Sequence, residues 1–176
     1  MGYELTGSRE VWSGRIASVR VDSFRHADGE EVEREIVGHP GAVAVVAHDG
    51  ERIYMVSQPR EAVGEQALLE LPAGKLDEDG ESPLETAKRE LAEEIGKAAA
   101  EWRHLASFFA SPGFSDEEIH VYLATGLSDA SAESGEEERI EIETYPLSSL
   151  DDLIARCRDS KTLVGLLWLR AYGETG

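Results

Sequence analysis

Residues 70 to 97 read "ELPAGKLDEDGESPLETAKRELAEEIGK", and this stretch crowds carboxylates around one short helical pattern. Ser82, Pro83 and Glu85 have the spacing of N-cap, N1 and N3 in a capping box, with proline where a missing N–H costs nothing. Leu84, Ala87, Leu91 and Ile95 recur at steps of three and four, which predicts a helix with one apolar stripe. Gly96 stands where a left-handed C-cap is wanted. On that wheel Glu90, Glu93 and Glu94 share a face beside the stripe. Like charges so placed cost about 0.2–0.5 kcal/mol per pair, so a compensating cation is expected. Oxygen ligands suit a hard divalent ion, and Arg89, next in sequence, is placed to hold one carboxylate. A solvated acidic face is the bland alternative, and the spacing of the glutamates alone does not displace it.

The bulk composition narrows the partners. The 176 residues suit one globular domain. Asp and Glu number 36 against 17 Lys and Arg, a formal charge of −19, which repels nucleic-acid backbones and anionic lipid. A small anionic ligand is compatible only if arginines or metal ions cancel that field locally. Cys157 is the only cysteine, which rules out an intrachain disulfide, and no Cys/His pair has zinc-site spacing. A reducing cytoplasm and a soluble protein are expected, since no apolar run approaches the length of a membrane span.

Outside the acidic helix the pattern is mostly β. Residues 11–25 alternate apolar and polar, and residues 27–37 add an Asp-Gly turn and a second alternating run, which predicts an N-terminal β-hairpin. Residues 41–60 read as two strands joined at Asp49-Gly50, the first apolar enough to be buried on both faces. Residues 119–127 and 139–147 read as strands around an acidic loop at 128–138, expected to be mobile. Two helices are expected to close the chain, at 148–159 with Ser149 and Asp152 at capping-box spacing, and at 161–173. Strands and helices mix without a βαβ repeat, which indicates an α/β or α+β class with a mixed sheet.

Gly74, Glu81 and the run "RELAEEIG" from Arg89 to Gly96 together resemble the Nudix box, G-x5-E-x7-R-E-U-x-E-E-x-G-U with U aliphatic. The match departs twice: six residues instead of five separate Gly74 from Glu81, and Lys97 takes the last aliphatic place. Neither shifts the register of the three glutamates. "GRIASVRVD", "REIVGHPGAVAVV", "QPREAVGEQALLELPAGK", "SPGFSDEEIHVYLA" and "KTLVGLL" are similar to segments of the ADP-ribose pyrophosphatase subgroup, and Pro112 matches the proline that marks it.

The resemblance implies an α/β/α sandwich with a mixed sheet, residues 41–176, preceded by a β extension at 1–40 that serves dimerisation. It implies Mg²⁺-dependent hydrolysis of ADP-ribose to AMP and ribose 5-phosphate, with about two or three ions and Mn²⁺ as a substitute. The metal ligands carried over are the Ala73 carbonyl, Glu90 and Glu94, assisted by Glu93. Glu117 of the "SDE" run is the expected base, against the alternative that this run only shapes a turn. Arg60, Arg34 and Pro112 are the expected substrate residues, with Arg34 supplied across a homodimer. Where similar enzymes offer an aromatic platform for adenine, this chain has Ile16 and Ala17, with Trp12 and Phe24 nearby. Other nucleoside diphosphate sugars are the rival substrates, and a non-catalytic nucleotide sensor is the rival class. His26, His39, His48, His104 and His120 read as ordinary surface or core histidines, Cys157 as helix packing and Trp168 as core.

Overall fold

The structure, a computed structural model, describes residues 2–131 and 139–173, so most of the acidic loop read at 128–138 lies outside the described residues. The chain divides into two units, Met1–Gly41 with Phe108–Glu118, and Ala42–Ser107 with Ile119–Gly176.

The first unit carries an antiparallel sheet of β1 (Tyr3–Ser13), β2 (Ser18–His26) and β3 (Glu31–Gly38), in that order. The sequence leads one to expect only a hairpin from residue 11 onward. The extra strand escapes a search for alternation because its pairing with β2 shifts register between Leu5 and Gly7 and again between Glu10 and Trp12. Each shift moves the following side chains to the other face, which erases a period of two. The turn between β2 and β3 falls at Asp28-Gly29 as expected, with Gly29 at φ 88° and the Asp28 carboxylate accepting from the Glu30 N–H. Buried Asp22 on β2 accepts from Ser8 Oγ at 2.6 Å and Arg20 Nε at 3.0 Å, tying the strands together through side chains.

The second unit is organised by β4 (Ala42–His48), which is buried along its length because both its faces are covered. It pairs in parallel with β9 (Glu118–Asp129) and antiparallel with β5 (Arg52–Arg60) and the short β7 (Ala73–Lys75). β5 also pairs antiparallel with β6 (Glu65–Glu70) and β10 (Glu141–Pro146), and β8 (Lys97–Phe109) lies beyond β9. Both orientations occur, so the sheet is mixed, as expected. The "KAAAEWRHLASFF" run of β8 shows no alternation and opens on three alanines, residues that favour helix, which is why it does not read as a strand.

Side chains of β4 alternate between two helices. Val43, Val45 and Ala47 cluster with Ala87, Leu91 and Ile95 of α1 (Pro83–Ile95). Val46 points the other way, where a Cβ on Gly165 of α3 (Ser160–Tyr172) would lie 2.8 Å from it and 2.6 Å from Leu71. One helix therefore covers each face, giving the α/β/α sandwich. The α2 helix (Leu150–Arg156) packs beside α3. Among the described residues no helix is long and apolar enough to cross a membrane.

Three local expectations are corrected. Ser149 makes no capping bond; its hydroxyl donates to the Pro146 carbonyl at 2.7 Å, because a 3-10 turn over Leu147–Ser149 precedes α2. Trp168 is half-buried, with Tyr172 at 4.5 Å between ring centroids and the Arg103 guanidinium 5.0 Å from its ring. Cys157 stands just past the end of α2, its thiol on the Asp159 carbonyl.

The α1 caps form as read. Ser82 Oγ accepts from the Glu85 N–H, the Glu85 carboxylate accepts from the Ser82 N–H at 2.8 Å, and Gly96 ends the helix at φ 65°. Replacing Ser82 by Ala removes the N-terminal cap and should lower unfolding stability by about 1 kcal/mol. A urea titration followed by circular dichroism checks this through a lower midpoint at unchanged slope.

Candidate active site

Arg89 is the centre of the acidic face of α1. Its Nη1 donates to Glu90 at 2.8 Å and to Glu93 at 3.0 Å, while its Nε reaches both oxygens of Glu81 at 3.2 Å. Thr86 Oγ1 donates to the same Glu81 at 3.0 Å. Burial works against the guanidinium's charge, but the field of Glu90 and the bonds from Glu93 and Glu81 hold its pKa above the ordinary arginine value. One cation thus joins glutamates from the helix and from the loop that precedes it. The expectation that Arg89 holds one carboxylate falls short of this.

The turn at β7 meets the helix at two further points. A Cβ built on Gly74 would lie 2.0 Å from Glu90 Cδ, so only glycine lets this backbone approach that carboxylate. Glu94, 8% exposed, accepts from the Ala73 N–H at 2.9 Å. The structure therefore brings Ala73, Glu90, Glu93 and Glu94 together. Among the described residues no three carboxylates form a closed ion cage, since Arg89 is interposed among Glu81, Glu90 and Glu93. The donor set is oxygen only, with two carboxylates seated against one tight turn, and that chemistry fits a hard divalent cation.

A second charged group lies in the same unit and is invisible in the sequence. Arg60, at the end of β5, forks onto Glu70 through Nε at 2.6 Å and Nη2 at 2.9 Å. Lys161 of α3 donates to the same carboxylate and lies 3.0 Å from Asp159, which caps α3 by accepting from the Thr162 N–H. Thr162 Oγ1 in turn accepts from the Leu71 N–H at 2.9 Å, beside Glu70. Burial alone would raise the Glu70 pKa, yet Arg60 and Lys161 outweigh it and keep the carboxyl below its ordinary range. Asp159 is likewise lowered, burial being overcome by Lys161 and Thr162. The field of Glu94 also reaches Arg60.

The remaining expected site residues belong to the first unit. Asp116 Oδ1 accepts from the His39 N–H at 2.9 Å and its Oδ2 from Arg20 at 2.9 Å, so this residue shapes the turn. Glu117 is placed differently, its carboxylate 3.7 Å from His39 Nδ1, a nitrogen that already accepts from the Gly41 N–H at 3.1 Å. Pro112 and Arg34 line one cavity of about 420 Å³ with Phe24 and Phe114. Trp12 and Ile16 are exposed.

Residues 38–163 match the NUDIX domain family. The chain is 41% identical over 169 residues to a methanol dehydrogenase activator of Bacillus methanolicus, covering 93% of this chain and 90% of that one. It is 40% identical over 174 residues to an ADP-ribose pyrophosphatase of Mycobacterium tuberculosis, covering 96% and 84%. The chain belongs to the Nudix family. A further relative, an ADP-ribose pyrophosphatase of Bacillus subtilis, is 39% identical over 166 residues, covering 92% and 89%. A solved structure of an ADP compounds hydrolase shares the Nudix fold with a TM-score of 0.85 at 21% identity, covering 98% of this chain and 94% of that one. Nudix hydrolases generally use divalent metal ions.

Two outcomes follow from this geometry. Gly74→Ala should displace Glu90 and lower kcat about 100-fold with little loss of secondary structure, as kinetics paired with circular dichroism will show. Glu70 and Asp159 have folded pKa values below their unfolded ones, so their stabilisation is complete only above the unfolded values, from about pH 5 upward, and is lost as the pH falls through the folded values. The stability difference between wild type and Glu70→Gln should therefore be constant from neutral pH to about pH 5 and shrink below about pH 4, measured by urea unfolding at each pH.

Proposed function

We propose that the chain hydrolyses the diphosphate bond of ADP-ribose to AMP and ribose 5-phosphate. The observation that carries this reading is the complete set of box carboxylates, Glu90, Glu93 and Glu94, gathered against the 73–74 turn. Relatives named ADP-ribose pyrophosphatase, matched over most of the chain, support the substrate.

Glu90, Glu94 and the Ala73 carbonyl, with Glu93 assisting, would hold Mg²⁺. When bound, about two or three such ions, or Mn²⁺ in their place, supply neutralisation of the diphosphate and a more acidic water. The chain's own residues do the rest. Arg89 keeps the glutamates apart and oriented despite their mutual repulsion. Arg60 and Arg34 donate to diphosphate oxygens, the latter from a partner subunit, and Pro112 shapes the substrate loop. Glu117 accepts the proton of the attacking water, a role open to it because Asp116 carries the turn. Residues 1–40 serve as the dimerisation extension and 41–176 as the hydrolase domain of a cytoplasmic homodimer.

Other nucleoside diphosphate sugars form a second reading, favoured by Ile16 standing where an aromatic adenine platform is common. A non-catalytic nucleotide sensor is disfavoured by the intact carboxylates. The deciding experiment incubates the protein with ADP-ribose, ADP-glucose, GDP-mannose and NADH in Mg²⁺ and follows released AMP or GMP by chromatography. AMP release should be fastest from ADP-ribose, fall about 100-fold in Glu94→Gln and stop on chelation. Faster release from another nucleotide sugar would move the assignment to that substrate, and no release with Mg²⁺ or Mn²⁺ would end the catalytic reading.

A further inference from the structure

Glu70 is 1% exposed, yet it is charged and shared by two cations, Arg60 and Lys161. Buried ion pairs of this kind are weak sources of net stability, because desolvation offsets most of the attraction. Their distinctive property is direction. Arg60 lies partly in solvent, with 41% of its side chain exposed, in a chain of charge −19 that surrounds a flexible arginine with competing carboxylates. An unrestrained guanidinium there would spread over many rotamers and partners, and binding a diphosphate would require it to be collected first.

Resting on the proposed diphosphate hydrolysis, we propose that Glu70 is a positioning residue that pre-sets Arg60 for the substrate. Its two oxygens take Nε and Nη2 of the fork, which leaves the Nη1 edge for phosphate oxygens. Lys161 ties the same carboxylate to α3, and the Asp159 cap fixes Lys161 in turn. Leu71, next to Glu70, is held to Thr162 of that helix, so the carboxylate is braced through both backbone and side chain. Glu70 ends β6 just before β7 opens at Ala73, whose N–H holds Glu94, which places the clamp beside the carboxylates assigned to the metal.

The sign of one kinetic change separates positioning from plain electrostatics. Glu70→Gln removes a negative charge next to Arg60, so a purely electrostatic role would tighten binding of an anionic substrate and lower KM. A positioning role raises it. Steady-state kinetics on ADP-ribose with Mg²⁺ should be measured for wild type, Glu70→Gln, Arg60→Ala and the double variant. The dissociation constant of a non-hydrolysable α,β-methylene analogue of ADP-ribose should be obtained calorimetrically for the same proteins. Glu70→Gln should raise KM and Kd about ten-fold with kcat within about two-fold, and should add less than about two-fold in the Arg60→Ala background. A KM that falls or stays unchanged overturns the proposal, as does an equal rise in the absence of Arg60.

If circular dichroism shows Glu70→Gln unfolded, Glu70→Asp takes its place, keeping the charge while withdrawing the clamp by one methylene. Its KM should rise only when Arg60 is present, and a wild-type KM overturns the proposal. A wild-type protein that binds the analogue but releases no AMP defeats the proposed hydrolysis alone, and the Kd pattern then decides the positioning role by the same criteria. A wild-type protein that neither binds nor cleaves defeats both.

Discussion

The bonds that Arg89 makes to Glu81, Glu90 and Glu93 are the constraint on which the acidic face of α1 depends. Without a cation among them, carboxylates at adjacent helical positions would repel one another and fray the helix or swing into solvent. With it, their repulsion becomes a means of spacing. The guanidinium is planar and has donors on several edges, so it can hold one carboxylate from the loop and two from the helix at once. The neighbouring turn completes the arrangement, since Gly74 lets backbone come close to Glu90 and the Ala73 N–H anchors Glu94. Acidity that would be a liability on an ordinary surface is thereby made a fixed array of oxygen donors.

The sandwich supports this array from beneath. Val43, Val45 and Ala47 of β4 meet Ala87, Leu91 and Ile95 of α1, so the apolar stripe of the helix sets which of its faces turns the glutamates toward the 73–74 turn. On the opposite face of the sheet, α3 packs against Val46 and Leu71 and brings Lys161 and Asp159 to Glu70. The segment from Glu70 to Gly74 thus touches both charged groups, one at each end. Packing on one helix orients carboxylates, and packing on the other orients cations.

The first unit follows a different principle. Its sheet leaves every residue of β1 exposed, and beside the strand ladders it is tied by charged and polar side chains, Asp22 with Ser8 and Arg20, and Arg20 with Asp116. That division of labour assigns Asp116 to the turn and leaves Glu117 as the acid of the "SDE" run with looser contacts. The loop around Pro112 and the strand bearing Arg34 share a cavity, although they are far apart in sequence.

Much of α1 was legible because its determinants are local. A capping box spans four residues, an apolar stripe repeats within a turn, and Gly96 is read from its place after the last stripe residue. The family likewise followed from a run of neighbouring residues, and so did β4, whose uninterrupted apolar run announces a strand covered on both faces. By contrast, β1 was hidden by two register shifts and β8 by alanines, both cases in which pairing with another strand overrides the local pattern. Trp168 was misplaced because hydrophobicity gives burial only on average. Local residue patterns were enough to specify the acidic helix, its caps and the residue types at the site. That Arg89 serves three carboxylates, that Gly74 abuts Glu90 and that Arg60, Glu70 and Lys161 form one group follows from the folded arrangement of separate elements. Those contacts join residues separated by up to 91 positions, and the energy that selects them comes from packing and charge between elements, which no local window of sequence contains.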